Sequence, residues 1–148
     1  MRRRQTAPDQ WLIVTGPLDW GIAKRAPRGA GVLLLKPLRA KEMRRLRQIA
    51  RQREFKVVLE GPRTAARAHN STELRNSLLR RTPMILLSPL FPTDSHPDWK
   101  PLERLRAATL ARLARGKLIA LGGMDARKFA RIRHLGFAGW AGISAFRT

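Results

Sequence analysis

The residues best suited to chemistry lie in one proline-stiffened stretch, "LLSPLFPTDSHPDWKPL", residues 86–102, which carries Thr93, Ser95 and His96 directly after an apolar run. Its prolines rule out a continuous helix. Small hydroxyls and an imidazole on such a loop are suited to facing an anion, and the stretch is predicted to do so. Two further places share this character. "LIALGGMD" puts Gly122 and Gly123 just before Asp125, and "GWAGISA" ends near Ser144. A glycine pair ahead of a helix start lets backbone N–H groups approach an anion without a Cβ in the way, and the helix dipole favours the negative charge. Taken alone, the glycines read as a tight turn and Asp125 as an N-cap; the three stretches together predict a phosphate site. The chain has no cysteine, which excludes thiol catalysis, disulfides and Cys-ligated zinc. It shows no Ser-His-Asp order or nucleophile elbow either.

The elements that must position these residues alternate. "WLIVT", "GVLLLK", "FKVVLE", "PMILLSPL", "KLIALGG" and "GWAGISA" are apolar runs of strand length, with a seventh, weaker candidate at "RAHN". Between them, residues 39–54 place Met43, Leu46, Ile49 and Ala50 at helical spacing. "STELRNSLLRR" begins with a Ser/Thr cap and a glutamate, "LERLRAATLARLARG" closes on Gly116, and "DARKFARIRHLG" opens on Asp125 and closes on Gly136. Strand, helix, strand, helix with unalternating strands predicts a parallel sheet covered by helices. Ligands in such folds gather beyond the carboxyl ends of the strands, where the three stretches fall.

Composition sets the outer bounds. The 148 residues suit one domain, read as a basic flexible arm over 1–10 and a single domain over 11–148. The start "MRRRQTAPDQ" has no apolar segment after its positive cluster and does not read as a secretory signal. No apolar run approaches the roughly 18 residues of a membrane helix. With the absence of cysteine, this predicts a cytoplasmic protein without a membrane partner. Lys and Arg number 31 against 10 acids, a formal charge of +21 that favours phosphate-bearing ligands, nucleic acid or anionic surfaces. The arginines recur at helical spacing among Leu, Ile and Ala, as on solvated outer faces. No RNA-module aromatic pair, zinc-finger ligand set or clear reading helix accompanies them, which disfavours nucleic acid.

"LSPLFPTDSHP" followed by "ALGGMDARKFARIRHLGFAGWAGISAF" resembles the C-terminal half of the thiamine phosphate synthase/TenI family of (β/α)₈ barrels, and "AHNSTEL" resembles that family's histidine motif. The resemblance implies a TIM-barrel-like α/β fold and a place in thiamine biosynthesis. The synthase couples a thiazole phosphate to an aminopyrimidine pyrophosphate with Mg2+, a reaction that needs charge neutralisation and alignment more than acid or base. It further implies that Thr93, Ser95 and His96 bind phosphate or pyrophosphate oxygens and that Gly123 and Ser144 offer N–H groups to the thiazole phosphate. In the TenI branch, which tautomerises a thiazole carboxylate phosphate, the catalytic histidine corresponds to His69. Imidazole suits that proton shuttle. His69 also reads as a plain polar strand-end residue.

Departures from the family accompany the match. At the second strand end "LLLKPLRAK" leaves Lys36 as a partial substitute for the family's basic signature, with Arg39 displaced. Glu60-Gly61 stands where the family has Asn-Asp, whose aspartate helps hold magnesium; one carboxylate makes a poor site, so no metal ligand is identified. The family's Ser-x-His-Ser is Arg67-Ala68-His69-Asn70. "GPRTAARAHN" is too short for the helix, strand and helix expected there, so one βα unit is missing, in keeping with a length below the about 200 residues of a complete barrel. The shortened barrel then closes with fewer strands, stays open, or is covered by a partner, and an open form with bare parallel edges is expected to form a homodimer. Three readings remain: a shortened synthase or tautomerase, a non-catalytic phosphate-ligand binder, and a basic nucleic-acid-binding domain.

Overall fold

The expected alternation of strands and helices is present in the computed structural model, which describes residues 7–92 and 97–142. The elements are β1 (Gln10–Val14), α1 (Trp20–Arg25), β2 (Gly31–Leu34), α2 (Ala40–Arg53), β3 (Lys56–Leu59), β4 (Ala65–Ala68), α3 (Ser71–Leu79), β5 (Met84–Leu87), α4 (Arg104–Ala114), β6 (Leu118–Ala120), α5 (Ala126–Ile132) and β7 (Gly139–Gly142). Helix α1 was not expected, because six residues are too few to display a helical period. Asp19 starts it by accepting from the Ile22 N–H at 3.2 Å. Helix α3 is capped by Asn70 rather than by Ser71 or Thr72, its Oδ1 accepting from the Glu73 N–H at 2.9 Å. Asp125 caps α5 as expected, accepting from Lys128 N–H at 2.8 Å. Residues Pro8 to Gln10 of the expected arm are tied in: Trp140 N–H donates to Asp9 O and Trp11 Nε1 to Pro8 O. Thr93, Ser95, His96 and Ser144 lie outside the described residues.

All strand pairs are parallel, and the sheet order is β3-β2-β1-β7-β6-β5-β4. That is the circular order of a barrel cut open between β3 and β4. The cut falls there for a physical reason. Parallel neighbours need a crossover of about a dozen residues or more, whereas only residues 60–64 join these two strands. A tight turn fills the gap, with Gly61 N–H donating to Ala65 O at 2.9 Å and Ala65 N–H to Gly61 O at 3.0 Å. The weak "RAHN" signal thus marks a real strand that begins earlier, at Ala65, and takes the sheet edge. The missing βα unit belongs in this seam.

The sheet curls. Val58 of β3 and Ala65 of β4, from its opposite ends, pack into one interior cluster with Trp11, Ile13, Leu33, Leu86 and Ile119. These inward residues share one parity along each strand, as a period of two requires. The other parity faces the helices in two outer clusters, one around Leu46 and Val32, the other around Leu74, Ile85 and Leu118. Each such buried aliphatic side chain contributes about 1.5–3 kcal/mol. Trp11 fills the floor of the half-barrel: a Cβ on Gly31 would lie 2.2 Å from its indole, so the neighbouring strand must carry glycine there. Trp140, 3% exposed, belongs to the outer core.

Candidate functional site

The residue that follows each of the first six strands, or ends the seventh, lines one cavity of about 940 Å³: Thr15, Leu35, Glu60, His69, Ser88, Leu121 and Gly142. The carboxyl ends of the strands therefore converge, as the parallel sheet predicts. The cavity continues down the seam past Gly61, Pro62, Ala65 and Arg67, and Trp99 and Arg80 also line it.

His69 stands at the end of β4, one residue before the Asn70 cap. Its backbone N–H donates to Glu73 Oε2 at 2.8 Å, and its ring Nδ1 lies 3.0 Å from the same oxygen. An ionised carboxylate only accepts, so Nδ1 carries a proton, and in the neutral imidazole Nε2 is then the nitrogen with the lone pair. These contacts also hold the Glu73 carboxyl below its usual range, chiefly through the donated backbone N–H and further through the ring. The Trp99 ring meets the imidazole edge to face, centroids 5.0 Å apart. Helix capping, the carboxylate and the indole together fix the orientation of one imidazole.

Arg67, two residues earlier on β4, has the same inward parity. It forms a two-point ion pair with Glu60 across the seam: Nη2 donates to Oε1 at 3.2 Å, and Nε stands 2.9 Å from Oε2, within pairing distance but out of line for a hydrogen bond. Ser88, 5% exposed, is among the few buried polar side chains and faces the cavity from β5.

Gly122 and Gly123 line the cavity with φ of 99° and 61°. Their packing explains them as well as any anion does: a Cβ on Gly122 would lie 2.8 Å from Pro89 Cα, and one on Gly123 2.2 Å from Pro92 O. The proline-rich loop lies directly on the glycine turn, with Leu90 N–H donating to Leu121 O and Phe91 N–H to Gly122 O. Lys128 Nζ donates to Gly123 O at 2.8 Å. Lys36 is exposed beyond β2 and is not part of the cavity wall, where Leu35 takes its place. The structure thus brings His69, Gly122 and Gly123 together and leaves Lys36 outside.

Sequence reasoning missed Arg67, Glu73, Ser88, Trp99, Arg80 and Thr15. Glu73 had a signal, since an Asn followed three residues later by Glu marks a helix start. The others are single residues whose significance depends on which strand ends meet.

A family model described as thiamine monophosphate synthase, TMP-TENI, matches residues 63–146, more than half of the chain. The chain belongs to that family. Its fold is similar to that of thiamine phosphate pyrophosphorylase from Pyrococcus furiosus, with a TM-score of 0.73 at 15% identity over 95% of this chain and 88% of that one. It is also similar to the pyrophosphorylase from Bacteroides thetaiotaomicron, with a TM-score of 0.61 at 13% identity over 93% and 83%. No curated protein sequence matches the chain. At these identities the structural likeness establishes the TIM-barrel-like fold, and the family model establishes kinship with thiamine phosphate synthases.

Magnesium, the cofactor that kinship implies, does not fit the donors present. Among the described residues no group of three or more acids or histidines could hold a metal ion. Both carboxylates at the cavity are engaged, Glu60 by Arg67 and Glu73 by His69. Among the described residues no helix is long and apolar enough to cross a membrane.

Proposed function

We propose that this chain binds a thiazole phosphate at the convergent strand ends and that His69 moves a proton on it, as in the tautomerase branch of the family. The observation that carries this reading is an imidazole lining the cavity with Nδ1 held at 3.0 Å by Glu73. In the neutral ring this contact places the proton on Nδ1 and directs the Nε2 lone pair away from Glu73. A tautomerisation takes a proton from one carbon and returns it to another, leaving the atoms of the molecule unchanged. It therefore needs a group that accepts a proton and then donates it, and an imidazole operating near neutrality does both. When Nε2 takes the proton, the Glu73 carboxylate balances the imidazolium charge. Trp99 limits rotation of the ring.

The Ser88 hydroxyl and the backbone around Gly122 and Gly123 support phosphate contact at the same mouth. Thr93, Ser95, His96 and Ser144 extend this proposed set from sequence alone. Coupling of the thiazole to an aminopyrimidine pyrophosphate is the less supported activity, because the two carboxylates at the cavity are already engaged, Glu60 by Arg67 and Glu73 by His69, which leaves no free acidic donor set for magnesium among the described residues.

The test follows thiazole carboxylate phosphate by NMR in D₂O, where turnover exchanges the migrating proton. The wild type is expected to convert it. His69→Asn is expected to bind it with similar affinity and to convert it about 10²- to 10⁴-fold more slowly. Conversion by His69→Asn at the wild-type rate overturns the role of His69, and a wild type that binds without converting reduces the protein to a ligand binder.

A further inference from the structure

We infer that Arg67 is the anion receptor of the cavity, a fixed guanidinium whose spare N–H groups bind the ligand's phosphoryl oxygens without a divalent cation. This rests on the phosphorylated-ligand reading above and goes beyond it in naming the residue and its independence from metal.

Position is the first ground. Arg67 shares inward parity with Ala65 of the interior cluster and with His69, and it lines the cavity one strand repeat from that imidazole. The second ground is preorganisation. Residues 60–64 bring Glu60, from the end of β3, against β4, and the carboxylate holds the guanidinium at two points. An arginine free in solution loses side-chain entropy when it binds an anion; one already held loses less.

Donor arithmetic is the third. Of the guanidinium's five N–H groups, Nε and one on Nη2 face Glu60, and the remaining N–H groups on the two terminal nitrogens are left for phosphoryl oxygens. With the Arg67 side chain 42% exposed and that of Glu60 24% exposed, the carboxylate is the more enclosed partner and the guanidinium the more accessible one.

The carboxylate that follows β3, Glu60, is engaged by this guanidinium. A planar guanidinium suits phosphate because it offers parallel N–H donors and stays charged at any working pH. Arg80, the other cavity guanidinium, caps α3 and has no such carboxylate to hold it in place among the interactions of the described residues.

The experiment is calorimetric titration of the full chain with thiazole phosphate, its unphosphorylated alcohol and inorganic pyrophosphate, each in EDTA and in excess Mg2+. Wild-type affinity for the phosphorylated probes is expected to be the same in both buffers. Arg67→Gln is expected to weaken them roughly 10- to 100-fold, the loss of a hydrogen-bonded charge, and to leave the alcohol unchanged. Arg67→Lys should recover only part of the loss. If Arg67→Gln fails to fold, Glu60→Gln/Arg67→Gln, whose two carboxamides can still bond across the seam, takes its place.

A need for Mg2+, or equal binding by wild type and Arg67→Gln, overturns the inference. Arg67-dependent pyrophosphate binding with no affinity for thiazole phosphate sustains it while refuting the thiazole reading. No binding of any probe refutes both.

Discussion

Glu73→Gln isolates the interaction that orients His69. The carboxylate receives two contacts from that residue, at 2.8 Å from the backbone N–H and 3.0 Å from Nδ1. Glutamine keeps one carbonyl oxygen for one of them and loses the charge. The Asn70 cap survives because it uses only the backbone N–H of residue 73. A hydrogen bond to a charged partner is worth about 1.5–3 kcal/mol when well enclosed. The side chains here are 36% and 45% exposed, so solvent screening leaves at most about 1 kcal/mol. In a domain of this size that is a fall in Tm of up to about 2–4 °C.

The dependence on pH follows from the depressed carboxyl pKa. The stabilisation is fully present above the ordinary value of 4.5 and is lost as pH falls through the lower folded value. Calorimetric melting of wild type and variant should show a gap that is present above pH 4.5 and closes as the pH falls below it. A gap that persists after the carboxyl is protonated refutes the ion-pair reasoning. Turnover should fall about tenfold or more in the variant while ligand affinity holds, since the role assigned to Glu73 is to orient the base. Equal loss in an affinity measurement would instead mean that the mouth of the cavity has been rearranged.

Gly31→Ala places a methyl into the Trp11 indole at the floor, so it should destabilise the fold by about 1–3 kcal/mol in chemical denaturation; an unchanged midpoint would mean that the floor is loosely packed. Gly123→Ala meets Pro92 O at a left-handed φ of 61° and should displace the proline-rich loop. The expected readout is a drop of roughly 1–3 kcal/mol in stability together with weakened phosphate-ligand binding; wild-type affinity in that variant would separate the glycine turn from the ligand.

Much of the architecture was readable along the chain. Uninterrupted apolar runs such as "GVLLLK" and "MILLSPL", set between helical periods, led to a parallel sheet, and the short "GPRTAARAHN" segment led to a missing unit. Strand β4 shows the limit. "AARA" has neither β-branched residues nor alternation, and it is a strand because Ala65 to Ala68 pair in register with Met84 to Leu87. Position 69 was singled out through its motif, but nothing near it in sequence pointed to Trp99, thirty residues on, as the ring packed against it.

The sequence by itself determined what short-range chemistry can encode: hydrophobic period, caps, turns at Gly122 and Gly123, and a family motif. The tertiary structure alone decided where the barrel opens, that Glu60 meets Arg67 across the opening, and that His69 is held by both Glu73 and Trp99. Those outcomes depend on the curl of the sheet, which brings together strand ends whose side chains carry no local record of their eventual neighbours.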